Sequence, residues 1–202
     1  DIYKKYFDKI FCLDGSTRFK NESKNILLKY DVEYSHDDEY DNLPKKDHAL
    51  RSVVYKKIKE YIINDRINNK IDYWIVTVHP DEFYLFDIKK LINVAYSKKT
   101  FLINLNNCHN IPQKNEIEEW KKNKSYKVFK HFVYPGSTEN RIFKYSDDLY
   151  YDDRTHSKVI PHKLNQKRAF TGGDMLHYKI QGFDDLFASN GQIKTSCWST
   201  LK

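Results

Sequence analysis

The sequence predicts an α/β domain with a mostly parallel central sheet and helices on both faces, a Rossmann-like nucleotide-binding architecture. Three observations carry that expectation. Apolar runs rich in β-branched and aromatic residues alternate with stretches of helical periodicity. The most apolar run, Asp72–Val78, stops abruptly at His79-Pro80-Asp81-Glu82. The chain has 202 residues with 40% hydrophobic and 15% aromatic side chains, enough for a sizeable core.

In chain order, residues 2–7 read as the last turns of a helix, and Lys9–Leu13 as a short strand closed by the turn composition Asp14-Gly15-Ser16-Thr17. Glu22–Tyr30 has helical spacing, with Asn21 as its expected cap, and Asp31–Ser35 offers a second strand. The polar, acidic stretch His36–Asp47 reads as a loop. A long helix over about His48–Asn64 follows, with positions 49, 50, 53, 54, 58, 61 and 62 on its apolar face. A strand over 72–78, a helix over 87–96 and a strand over 100–105 complete a strand-helix-strand alternation. Beyond it, a helix is expected around Ile117–Lys122 and strands over 126–134, 140–145 and 158–161. Residues 163–174 read as a loop with Gly172-Gly173, and an apolar pattern returns over 175–187. A single domain over 1–202 is expected.

The net charge is +7, but Asp and Glu are interspersed among the lysines, so no continuous basic stripe for nucleic acid is expected. The three cysteines, Cys12, Cys108 and Cys197, are too few and too widely spaced for a disulfide framework. No apolar run reaches the length of a membrane span, and no leader is visible. The expectation is a soluble chain in a reducing, cytoplasmic compartment, with association to an anionic membrane surface left open.

The chemistry is concentrated at the end of the 72–78 strand. Pro80 cannot donate to a ladder, so the strand is expected to end there and to deliver His79, Asp81 and Glu82 to the rim of the sheet. Ligands of open α/β sheets sit at such strand ends. Carboxylates and an imidazole there suit a hard divalent cation and the phosphates it would hold. Glu82 has a second reading, as an acceptor for loop backbone.

The order of these segments resembles the family-two glycosyltransferases of the GT-A fold, in the subgroup with an Asp-Glu-Phe signature after the central strand. The resemblance spans nearly the whole chain. It is carried by FDKIFCLDGST (Phe7–Thr17), Arg51, DYWIVTVHPDEFY (Asp72–Tyr84), ENRIFKY (Glu139–Tyr145), THSKVIP (Thr155–Pro161) and MLHYK (Met175–Lys179). His79 stands where the family has the first aspartate of its metal-binding pair, Leu13 where many members are acidic, and Arg18 where another aspartate is common. The family's first strand is not found, so the chain is expected to lack it or to be part of a longer protein.

The resemblance implies a hexosyltransferase that moves a sugar from a nucleoside-diphosphate donor, UDP first among them, to a glycan or other hydroxyl acceptor. It implies Mn²⁺ or Mg²⁺ as cofactor. Asp14, Gly15, Ser16, Arg51 and His79 would bind the nucleotide, Asp81 the metal, and His177 or His156 would complete the metal shell. Asp153 and Glu139 are the two candidates for the base. Plain readings compete with each role: a turn for Asp14, a surface charge for Arg51, a core imidazole for His177 and a solvated loop for His156. The runner-up is a non-catalytic carbohydrate-binding or scaffold domain that keeps the fold.

Overall fold

The computed structural model describes residues 6–14, 20–36, 46–67, 71–79, 82–123, 125–134, 136–147, 149–151, 159–161 and 169–178. The elements run β1 (Phe11–Asp14), α1 (Lys20–Lys29), β2 (Glu33–His36), α2 (Lys46–Arg66), β3 (Trp74–Val76), β4 (Glu82–Tyr84), α3 (Ile88–Ser97), β5 (Leu102–Asn110), α4 (Lys114–Asn123), a 3-10 turn (Tyr126–Val128), β6 (Phe132–Val133), β7 (Thr138–Lys144), β8 (Leu149–Tyr151), β9 (Val159–Pro161) and β10 (Ala169–His177). The protein is mixed α/β. It divides into two compact units, residues 1–74 with 144–166, and residues 75–143 with 167–202.

In the first unit β1 and β2 pair in parallel, from Phe11 opposite Glu33 to Asp14 opposite His36. Parallel neighbours need a crossover, and α1 supplies it. Asp31 lets the chain leave α1 at φ 55°, a left-handed conformation that Asp tolerates. Asn21 lies inside α1 instead of capping it. On α2, Ile62 is buried and Val54, Ile58 and Tyr61 are half-buried; Tyr55, which the expected apolar face left out, is buried as well. Residues 55, 58, 59 and 62 are one turn apart, so they share the packed side. Tyr61 meets Phe11 of β1 edge-on, with ring centroids 5.5 Å apart. Arg66 lies over the rings of Tyr145 and Tyr73, at 4.8 and 5.8 Å.

The second unit is built on a six-stranded sheet in the order β3-β7-β5-β10-β4, with β6 also beside β5. Within it β5 and β10 are parallel, whereas β5–β7, β5–β6 and β10–β4 are antiparallel. The sheet is therefore mixed and mostly antiparallel, which corrects the expected mostly parallel sheet. Its strands also differ from those expected, because β1 and β2 form a two-stranded sheet of their own. The connection from β5 to β6 carries α4 and is long enough for a crossover, yet β6 and β7 both return antiparallel beside β5, and β7 enters between β3 and β5.

Ile103, Leu105, Ile142 and Met175 have no exposed surface and form the centre of this sheet's core. A second cluster joins Ile117, Val128, Phe129 and Tyr178 to the half-buried Phe83, Trp120, Phe132 and Leu176. That cluster explains why 126–134 is not the expected strand. A strand would send Val128 and Phe129 to opposite faces, but both are buried, and the 3-10 turn just before Phe129 allows it. Glu116 ties α4 to the same segment. It accepts the Gln113 and Lys130 N–H groups at 2.8 and 2.9 Å, and contacts His131 Nδ1 at 2.9 Å. Of the stretch expected as a loop over 163–174, residues 169–174 instead belong to β10, a strand paired on both sides, whose register with β5 shifts between Thr171 and Asp174.

Asp87 caps α3, its Oδ1 accepting the Lys89 and Lys90 N–H groups at 2.9 and 3.2 Å. Asp87→Ala should cost about 1 kcal/mol through loss of these bonds. Urea denaturation would show a lower midpoint at unchanged slope; an unchanged midpoint would mean that solvent satisfies the helix end equally well.

Candidate functional site

The second unit gathers polar side chains on one face of its sheet, and β3 starts the assembly. Just beyond its end the Thr77 N–H still donates to the Arg141 carbonyl of β7 at 2.8 Å. The chain then turns through His79, and resumes at Glu82 as β4, which pairs with β10. The Tyr84 hydroxyl bonds back to the Thr77 carbonyl and closes the segment on itself. Thr77 thus lies on the β3 side of the sheet and Glu82 beside β10. The strand expected over 72–78 is β3, which ends at Val76, two residues before its expected end.

Register fixes which side chains are neighbours. Glu82 lies opposite His177, and His177 opposite His109, so the three share a face. The two imidazoles meet edge to face at 5.3 Å. Glu82 is 1% exposed and is the hub. Its carboxylate accepts the His79 backbone N–H at 3.2 Å, and lies 3.2 Å from His79 Nδ1 and 2.5 Å from Arg141 Nη2. The backbone bond is the one expected if Glu82 serves the loop. The same Arg141 nitrogen sits 2.5 Å from Glu139 Oε2, and Asn107 Nδ2 donates to Glu139 Oε1 at 2.7 Å. Glu82 and Arg141 touch although β4 and β7 are not adjacent in strand order, so the sheet curls.

The electrostatics follow from this packing. Burial pushes the Glu82 carboxyl up, but the His79 hydrogen bond and the charges of Arg141, His79 and His177 outweigh it and hold the group below its ordinary value. Asn107 and Arg141 are buried, and Asn107 Oδ1 and Arg141 Nε find no hydrogen-bond partner among the described residues. Asn107 therefore retains one further acceptor and Arg141 one further donor.

The expected site residues divide as follows. His79, Glu139 and His177 belong to this face. Asp14 ends β1 and Arg51 lies on α2, both in the first unit, with their side chains outside the described residues. Gly15, Ser16, Asp81, Asp153 and His156 also lie outside the described residues. Among the described residues no three or more His, Cys, Asp or Glu side chains are grouped to hold a metal ion. Nor, among them, is any helix long and apolar enough to cross a membrane. Sequence reasoning missed Arg141, Asn107 and His109. A signal for Arg141 existed: it follows Glu139 by two in a strand pattern, so both project to the same face, beside the apolar pair Ile142 and Phe143.

No family model, curated protein or solved structure matches this chain. The functional reading therefore rests on the geometry above and on the resemblance of its motifs.

Proposed function

We propose that this chain is a metal-dependent glycosyltransferase that moves a sugar from a nucleoside-diphosphate donor, a UDP-sugar first among them, to a hydroxyl of a glycan acceptor, on a GT-A-like fold. The observation that supports the reading best is the strand-end delivery of His79 beside the Glu82-Arg141-Glu139-Asn107 cluster. A divalent cation, Mn²⁺ or Mg²⁺, would be held by Asp81 together with phosphate oxygens and would neutralise the departing diphosphate.

The remaining chemistry belongs to the protein's own groups. His79 would meet a phosphate oxygen of the donor. Glu139 has lone pairs left after its bonds to Arg141 and Asn107, since a carboxylate offers about four acceptor sites. In an inverting transfer the acceptor oxygen forms a bond to the anomeric carbon. The bond from that carbon to the phosphate oxygen breaks, and its electron pair leaves with the diphosphate. The acceptor's proton passes to a carboxylate, Glu139 or Asp153.

Thermal unfolding with a panel of nucleoside diphosphates and their sugars, with and without Mn²⁺, tests the reading. At a ligand concentration of about 100 times Kd the stabilisation is about 2.7 kcal/mol, which for a chain of this size raises Tm by roughly 5–10 °C. UDP with Mn²⁺ should give that shift, and Mn²⁺ alone much less. A flat response to every nucleotide would sink the proposal. A shift with sugar nucleotides but neither transfer nor hydrolysis of the donor would favour a carbohydrate-binding module instead.

A further inference from the structure

A fully buried ion pair lies behind the two partly exposed groups of the cluster. The side chains of Glu82 and Arg141 are 0% and 3% exposed, whereas those of His79 and Glu139 are 30% and 23% exposed. One guanidinium nitrogen bridges the two carboxylates, so His79, Glu82, Arg141 and Glu139 form a single chain of contacts between residues 79 and 139. Asn107 holds the far oxygen of Glu139. A buried ion pair is a poor stabilising device, because well-packed apolar residues of similar volume do as well or better. What it can supply is a fixed frame. Glu82 grips the backbone and the ring of His79 at once, and Arg141 offers a rigid planar fork. No apolar pair could hold an imidazole and a carboxylate in register.

We propose that Arg141 is a positioning residue for the transfer reaction: through Glu82 and Glu139 it fixes the His79 imidazole and the Glu139 carboxylate in one frame, with Glu139 as the group that receives the acceptor's proton. This rests on the glycosyltransferase reading. A misplacement of about 1 Å can cost about 100-fold in rate, so disturbing the frame should lower kcat far more than donor binding.

The test compares the wild type with Arg141→Lys and with the double variant Glu82→Gln/Arg141→Met. The double variant removes both buried charges, so it should fold even if the single variant does not. UDP and Mn²⁺ binding to the wild type by calorimetry decides the reading first. No binding of any nucleoside diphosphate overturns the reading and this proposal with it. In a wild type that binds, the double variant should weaken Kd and KM for the donor, through the loosened His79, far less than it lowers kcat. Its kcat should drop roughly 100-fold, and its pH-rate profile should move. The imidazole nitrogen resonances of His79, followed by NMR, provide a readout that needs no turnover. They should report one tautomer in the wild type, with Nδ1 protonated toward Glu82, and a mixture of tautomers in the double variant. A folded double variant with wild-type kcat and pH profile, or with unchanged His79 resonances, overturns the positioning role while leaving the glycosyltransferase reading intact.

Discussion

Arg141→Ala is expected to destabilise the protein by about 3–5 kcal/mol at neutral pH, because it strips the partner from a buried carboxylate. Glu82 then keeps its burial and its His79 contacts but loses the guanidinium 2.5 Å away. The pH dependence identifies the mechanism. In the wild type Glu82 titrates below its unfolded value, so its contribution is fully present above about pH 4.3. That contribution is lost as pH falls through the lower, folded value. Without Arg141 one of the lowering influences is gone and burial still raises the carboxyl. The variant's Glu82 therefore takes up a proton at higher pH and sheds part of its penalty on mild acidification. Urea denaturation at pH 7 and pH 4.5 should show a large deficit in the first and a smaller one in the second. An equal deficit at both would mean that lost packing, not the orphaned charge, dominates.

Much of the fold is legible in the sequence where period and length agree. Long helices show themselves through apolar spacing, so 48–64 and 87–96 appear as Lys46–Arg66 and Ile88–Ser97. Strands over 9–13, 31–35, 72–78, 100–105 and 140–145 appear within a few residues of their expected places, although β5 continues to Asn110. What periodicity does not encode is pairing. Strand direction in the sheet depends on which edges are free when β7 and β10 arrive, and that is a property of connections far apart in sequence. Hence the alternation of strands and helices suggests a parallel sheet, and the return of 138–144 beside β5 makes it mixed. β10 was hidden for a different reason. Gly172 and Gly173 look like loop punctuation, yet here they mark a strand irregularity against close neighbours.

The candidate site was legible in pieces, each carried by its own short motif. Pro80 and the polar residues around it announce the end of a strand, and His79 and Glu82 are found together there. Asn107 carries no such mark and Arg141 only its spacing from Glu139, because a charged or amide residue on a strand reads as solvent-facing until the neighbouring strand is known. The buried position of Arg141 follows from cross-strand partners at residues 82 and 139. Glu139 was expected from its motif, but its link to Glu82 through one guanidinium needs the curl of the sheet.

Gly173→Ala should be about as damaging as loss of Arg141, at about 2–5 kcal/mol, and its cost can be divided into parts. Gly173 has φ 84°, where an L side chain pays about 1–2 kcal/mol in left-handed strain. A Cβ there would also stand 2.5 Å from Phe86 Cε1 and 3.0 Å from its Cγ, well inside contact. Phe86 is stacked on Tyr84 at 5.5 Å with the rings nearly coplanar in tilt, 10° apart, so it cannot swing away without breaking that stack. Overpacking of this kind adds about 1–3 kcal/mol. Gly136 provides the control, since its φ is 78° and nothing lies within 4 Å of the Cβ it would gain. Gly136→Ala should therefore show the dihedral cost alone. Phe86→Leu in the Gly173→Ala background should recover part of the loss, because a smaller side chain yields the space, and a double-mutant cycle would report that coupling. Equal losses at the two glycines, with no coupling to Phe86, would show that backbone strain alone requires glycine at 173 and that the approach of the Phe86 ring does not.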